Sequence, residues 1–242
     1  MPTLERLTEH YDKKYRAADF TRVKPVALVK RPKDRLEMNV YLSARGAGGN
    51  YLEVGAGDGS AMLTLLERYD RLVGTDLSAV RVRQMQLLFQ NNPKVQVLQN
   101  NLEVDGLPFP DGEFDTAAMV DVIEHIVDPI GALKEIRRVL KPRARLLVLT
   151  PNIAKWTRRL KLLAGYFPST ASLQEGLLHY DKRTPTDLHD EGHLHYFTFR
   201  SLARLAVERA GFSRGEKAGY GRSVVCRMWP EMFSDLCLTL YK

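Results

Sequence analysis

Hydrophobic positions in this chain change their period several times, and each change marks an element. Leu4, Leu7, Tyr11 and Tyr15 recur at helical spacing. Lys24-Pro25 and Lys30-Arg31-Pro32-Lys33 break that pattern, and Arg35 to Ala44 resumes it before Gly46, Gly48 and Gly49 close it. Residues 1–45 are therefore expected to form a helical N-terminal segment with a basic break. From Tyr51 short apolar runs alternate with amphipathic ones. Strands are expected at Tyr51–Val54, Arg71–Thr75, Val95–Leu98, Phe114–Val120 and Arg145–Leu149. Helices are expected at Ser60–Tyr69, from a Ser78 cap to about Asn91, and at Pro129–Leu140. The alternation predicts a βαβ series and an α/β, doubly wound, mainly parallel sheet.

Residues 151–197 break this rhythm. They hold four of the six histidines, prolines at 168 and 185, and the basic, partly apolar stretch Lys155 to Tyr166. The expected role is an insertion, a lid over the carboxyl ends of the strands, where open α/β sheets place ligands. A helix at Ser201–Ala210 and two tail strands, near Glu216–Tyr220 and Leu236–Tyr241, complete one expected domain over residues 1–242.

Composition narrows the class. The chain has 242 residues, 44% hydrophobic and 27% charged, which excludes a largely disordered or collagen-like polymer. No apolar run approaches the roughly 18 residues of a membrane span. Glu5, Glu9 and Asp12 within the first 16 residues argue against a signal or transit peptide. The two cysteines, Cys226 and Cys237, make neither a disulfide framework nor a zinc ribbon, so a reduced, cytoplasmic setting is expected. The net charge of +7 favours an anionic small-molecule substrate, free or carrier-bound, or an acidic partner protein. With no base-reading motif or Cys/His finger, nucleic acid is not an expected partner.

Glu53-Val54-Gly55-Ala56-Gly57-Asp58-Gly59 leaves a strand and enters a helix. Glycines there permit a tight turn and let a ligand approach the backbone. The spacing is GxGxG, unlike the GxGxxG of dinucleotide enzymes. Asp76 ends the next strand, where a carboxylate can accept from both hydroxyls of a ribose.

YLEVGAGDGS, Asp76, NNLEVDGLPFPDGEFDTAAMVDVIEHI and EIRRVLKPRARLLVLTPN together resemble the class I S-adenosylmethionine-dependent methyltransferases, over about residues 50–212. LPFPDGEFD, TPN before a Trp-containing basic helix, and HYFTFRSL look most like the MetW-like group. The resemblance implies a Rossmann-like fold whose last strand is antiparallel, S-adenosylmethionine as cofactor, and methyl transfer to an oxygen or nitrogen of a small molecule. It implies that Gly55, Ala56 and Gly57 bound the methionine part of the cofactor with Glu53 beneath, and that Asp76 holds the ribose. Leu77 would pack on the adenine, Asn101 and Leu102 would meet its edge, and Asp121 would face the methyl donor or substrate. The family often has Asp where Asn101 stands. Some MetW-like proteins act with an acyltransferase, so a non-catalytic, cofactor-binding partner is the alternative function.

Asp121, Glu124 and His125 share a face on a helical turn. Some ubiquinone-pathway methyltransferases resemble this pattern and use it for a divalent cation; the same residues also suit a helix start and simple packing, and no metal is expected. His189, His193 and His195 lie in DLHDEGHLHYF. His189 or His193 is the expected general base, since imidazole titrates near neutrality; ordering of the insertion is the competing role. Lys155, Arg158, Arg159 and Lys161 read either as a run that binds a phosphate, an acidic carrier protein or a membrane surface, or as the solvated face of an amphipathic helix.

Overall fold

The computed structural model describes Asp12 and residues 23–170 and 193–242. Its centre is a seven-stranded sheet in the order β3-β2-β1-β4-β5-β7-β6. The strands are β1 (Asn50–Val54), β2 (Arg71–Asp76), β3 (Val95–Gln99), β4 (Phe114–Val120), β5 (Leu140–Thr150), β6 (Arg214–Lys217) and β7 (Leu236–Tyr241). β1 to β5 are mutually parallel, and β7 runs antiparallel to both β5 and β6. The expected sheet, with its antiparallel last strand, is the one observed.

Side chains alternate across the sheet, as strand geometry requires. Leu52 and Val54 enter one core and Tyr51 the other; Leu146 and Val148 oppose Leu147 and Leu149 in the same way. Helices α1 (Arg35–Ala44), α2 (Ser60–Leu65) and α3 (Ala79–Leu88) cover the Tyr51 face. The other face is covered by α5 (Pro129–Val139) and α7 (Phe199–Arg204), the latter continued by a π turn at Leu205–Arg209. Caps explain the helix starts. Ser78 Oγ accepts from Arg81 N–H at 3.3 Å, and Asp128 accepts from Ile130 and Gly131 N–H at 3.1 and 2.9 Å.

Several boundaries differ from expectation for local reasons. Residues 23–34 carry no helix, so the N-terminal segment is helical only at α1 and at Asp12 among its described residues. Pro25 and Pro32 offer no N–H to a helix. The segment lies along α2 instead: Thr64 Oγ1 donates to Val26 O at 2.8 Å. β5 starts at Leu140, ahead of the expected Arg145, because the chain passes Arg143 at φ +67° and shifts register against β4 before regular pairing resumes. β6 precedes its expected place by two residues. Four short helices escaped periodicity: α4 (Leu102–Asp105), the 3-10 turn Ile123–His125, α8 (Val224–Met228) and α9 (Pro230–Phe233). Within the expected insertion, α6 (Trp156–Leu163) follows β5, and residues 171–192 lie outside the described residues. No helix among the described residues is long and apolar enough to cross a membrane.

Ile136 is fully buried where α5 meets the sheet. Ile136→Ala is expected to lower unfolding free energy by about 2–5 kcal/mol, lost transfer plus cavity terms, measured by urea denaturation.

Candidate active site

The turn after β1 is built from left-handed backbone: Gly55, Gly57 and Gly59 have φ of +71°, +60° and +77°. Gly55 and Ala56 N–H both donate to Thr75 O, at 2.8 and 2.9 Å, so the end of β2 holds the loop. A Cβ on Gly55 would stand 2.3 Å from Val122 Cγ2, whereas a Cβ on Gly57 would meet open space. The loop is thus packed on one side and open on the other.

Asp76 ties this loop down. Its Oδ2 accepts from Gly57 N–H at 3.0 Å and its Oδ1 from Ser78 N–H at 2.9 Å. Burial pushes its carboxyl above the ordinary value, against the opposing effect of those two N–H groups.

A cavity of about 290 Å³ opens beyond the loop, at the carboxyl ends of the strands where the order reverses between β1 and β4. Of the expected cofactor residues, Gly55, Gly57, Asp76, Leu77, Asn101, Leu102 and Asp121 line it. Glu53 and Ala56 do not. Ala56 packs in the core with Met62 and offers its N–H to β2. Glu53 lies beneath the loop, 3% exposed, with Oε1 accepting from Asn39 Nδ2 at 3.0 Å and Oε2 without a partner among the described residues. Burial pushes its carboxyl up to about 8.

Asn101 has a structural duty that its sequence position concealed. Its Oδ1 accepts from Glu103 N–H at 3.1 Å and caps α4. The neighbouring Asn100, which sequence reasoning missed, also lines the cavity. Its Nδ2 donates to Gly106 O at 2.7 Å, and its buried Oδ1 has no partner among the described residues. No periodic or motif signal distinguished the two amides.

The other side of the cavity, after β4 and β5, is ionic. Asp121 takes φ +54°, rare for a non-glycine residue and often found at functional strand ends. Its Oδ1 pairs with Arg35 Nε at 2.5 Å, and Arg35 also reaches Asp235 at 3.2 Å. Burial opposes the Arg35 charge, but Asp121, Tyr220 and Asp235 raise its pKa overall. Arg35 was read only as a helix start; its role depends on long-range contacts.

Glu124 is 1% exposed, accepts from Thr150 Oγ1 at 2.8 Å through Oε2, and keeps Oε1 without a partner among the described residues. Burial, and then the Asp121 charge, push it up to about 8. The spacing set of Asp121, Glu124 and His125, for which no metal was expected, is rearranged: Asp121 faces Arg35, and His193 joins the other two. Ligating atoms of Glu124, His125 and His193 lie within 4.8 Å of one another, and the two imidazoles meet edge to face at 4.7 Å. Such a trio can relay a proton or ligate a cation. Leu194 and His195 N–H donate to Glu124 O at 2.7 and 3.1 Å, fastening the end of the insertion. His193 Nδ1 lies 2.6 Å from Thr170 Oγ1. His189 lies outside the described residues.

The basic run is partly structural. Arg158 donates to Asp235 and to Asn152 O, each at 2.8 Å, and Lys155 lies 3.5 Å from Asp235.

With this geometry in hand, comparison with known proteins is decisive. A methyltransferase-domain family matches residues 29–214. The chain belongs to this methyltransferase-domain family. A probable S-adenosylmethionine-dependent methyltransferase of Mycolicibacterium smegmatis is 33% identical over 111 residues, 46% of this chain and 41% of that protein. The ubiquinone/menaquinone biosynthesis C-methyltransferase UbiE of Hahella chejuensis is 34% identical over 113 residues, 43% of each protein. The chain thus spans under half the length of these curated relatives. The solved structure of the trans-methyltransferase CalH in complex with SAH superposes with a TM-score of 0.56 at 17% identity, covering 84% of this chain and 54% of that one. At that identity the shared property is the Rossmann-like fold.

The buried Glu53 carboxyl gives a direct test of the loop's foundation. Its folded value of about 8 exceeds the ordinary 4.5, so between those limits the folded protein holds a proton that the unfolded chain releases. Its contribution therefore favours folding less as pH rises through that window. Glu53→Gln, which keeps an acceptor for Asn39, is expected to flatten the pH dependence of stability between pH 5 and 8 relative to the unaltered chain, measured by urea denaturation at each pH.

Proposed function

We propose that this methyltransferase domain binds S-adenosylmethionine in the first cavity and transfers its methyl group to a nucleophilic oxygen or nitrogen of a small molecule. The single observation that carries the reading is the Asp76–Gly57 bond, which sets a carboxylate and an open backbone turn side by side on the cavity wall. The residues present fit the cofactor. The open face of Gly57 admits close approach, and the unpartnered Oδ1 of Asn100 is an acceptor for an amino group. Glu53 Oε2, also unpartnered, lies under the loop. Asp76 would take the ribose hydroxyls, and Leu77 and Leu102 would flank the base.

When bound, the cofactor supplies a methyl group already activated on a sulfonium, whose C–S electron pair stays on the sulfide as the new bond to the acceptor forms. The chain's remaining tasks are to orient the acceptor, exclude water and take its proton. In the tautomer whose Nδ1–H donates to Thr170 Oγ1, 2.6 Å away, Nε2 of His193 carries the lone pair for that proton. His193 is thus our proposed base, and residues 151–197 our proposed cover of this end of the single domain. C-methyltransferases occur among the relatives, so support for oxygen or nitrogen rests on the base alone. The MetW-like segments LPFPDGEFD and HYFTFRSL support placement in that group.

Asp76→Ala is expected to weaken S-adenosylhomocysteine binding by about 1.5–3 kcal/mol, the scale of a charged hydrogen-bond acceptor, while the protein stays folded. Calorimetry with unchanged affinity would place the ribose elsewhere. His193→Ala is expected to cut methyl transfer by about 10²- to 10⁴-fold with that affinity nearly unchanged. Loss of transfer on adding a chelator to the unaltered protein would instead make His193 a cation ligand. Cofactor binding with no transfer to any acceptor in a labelled-methyl screen would favour the non-catalytic partner.

A further inference from the structure

A second cavity, of about 570 Å³, lies on the far side of the Arg35–Asp121 pair, and both residues line both cavities. The ion pair is therefore a shared wall. We infer that this second cavity is the acceptor site, and that it takes an amphipathic small molecule bearing an oxyanion such as a carboxylate, phosphate or sulfonate. The inference rests on the methyl donor filling the first cavity.

Charge is the first support. Lys33, Arg35, Lys155 and Arg222 line the cavity against Asp34, Asp121 and Asp235. Each carboxylate is already engaged. Asp34 accepts from Glu37 N–H at 2.9 Å to cap α1, and Asp121 faces Arg35. Asp235 is held by Arg35, Lys155 and Arg158 at 3.2, 3.5 and 2.8 Å. The lining thus holds one more cation than carboxylates, and the Lys33 ammonium and the Arg222 guanidinium have no side-chain partner among the described residues. A net positive lining with two cations outside any ion pair favours an oxyanion.

Tyr220 is the second support. Its ring is 5% exposed, it lines the cavity, and its buried hydroxyl has no hydrogen-bond partner among the described residues. A hydroxyl left so is costly unless a ligand satisfies it. Leu36 and Phe233 give the same cavity an apolar wall. An acceptor with its oxyanion at Lys33 and Arg222 and its body along Leu36 and Phe233 would extend its reactive end past the ion pair towards the first cavity.

The cavity carries its own reporter. Cys226 lines it as a half-buried free thiol, whereas Cys237 is fully buried and its thiol is pushed up to about 12. The experiment follows modification of Cys226 in the full chain saturated with S-adenosylhomocysteine. The probes are the dianion 5,5′-dithiobis(2-nitrobenzoate) and the neutral 4,4′-dithiodipyridine. An oxyanion site makes the dianion's rate saturate with concentration and leaves the neutral reagent's rate linear. Tyr220→Phe, which removes one hydroxyl and no charge, is expected to weaken the saturation constant several-fold. Lys33→Glu with Arg222→Glu is expected to abolish saturation in a protein whose circular dichroism is unchanged. In the unaltered chain, 8-anilinonaphthalene-1-sulfonate is expected to protect the thiol. A strictly linear dianion rate, or saturation unaltered by the charge reversal, overturns the inference, since long-range attraction alone accelerates without saturating. Failure of the chain to bind S-adenosylhomocysteine at all would overturn the donor-site reading instead, and calorimetry reports that separately.

Discussion

The turn that leaves β1 is the constraint on which the site depends. Three residues there take left-handed backbone angles, and one of them has no room for a side chain because Val122 occupies the space. The turn's N–H groups are then divided between the end of β2 and the Asp76 carboxylate. These bonds tie the ends of β1 and β2 together beside β4, where strand order reverses. A cavity at that place follows from the topology; its polarity follows from what the turn leaves pointing outward.

Buried polar groups concentrate around this cavity. Glu53 and Glu124 are each almost wholly buried, each has one oxygen hydrogen-bonded, and each is pushed towards its neutral form. Elsewhere the two cores are mainly apolar, with exceptions such as the Tyr51 hydroxyl, buried without a partner among the described residues. Burying a carboxyl with an unsatisfied oxygen disfavours the folded state, and these groups stand one beneath the glycine turn and the other beside the two histidines. Two of the molecule's local energetic conflicts thus stand where chemistry is proposed, which is where a consistent sequence is expected to depart from consistency.

Asp235 plays a connecting part on the far side of the Arg35–Asp121 pair. It precedes β7, and it gathers Arg35 from α1 with Lys155 and Arg158 from the start of α6. The N-terminal helix, the insertion and the last strand therefore share one ionic centre, and Arg35 passes that connection on to Asp121 at the cavity. Two cavities meet at this one ion pair, so the start of the insertion is tied through Asp235 and Arg35 to the wall between the proposed donor and acceptor spaces.

Much of this was legible in the chain. Apolar alternation located the five parallel strands, and the glycines with Asp76 located the ligand end of the sheet, because both depend on interactions between residues near in sequence. Seven of the expected cofactor residues line the cavity for that reason. Most of what the sequence could not determine involves partners far apart along it, two adjacent amides being the local exception. Asn101 and Asn100 are adjacent amides, and only the capping of α4 distinguishes the one that is engaged from the one that faces the cavity with an open acceptor. Asp121, Glu124 and His125 looked like a set by spacing, yet Arg35, 86 positions earlier, takes Asp121. His193, 68 positions after His125, completes the trio. Periodicity and motif spacing report the local backbone; the pairing of charges and imidazoles is decided by which loops the packed sheet brings to the same edge, and that belongs to the tertiary structure.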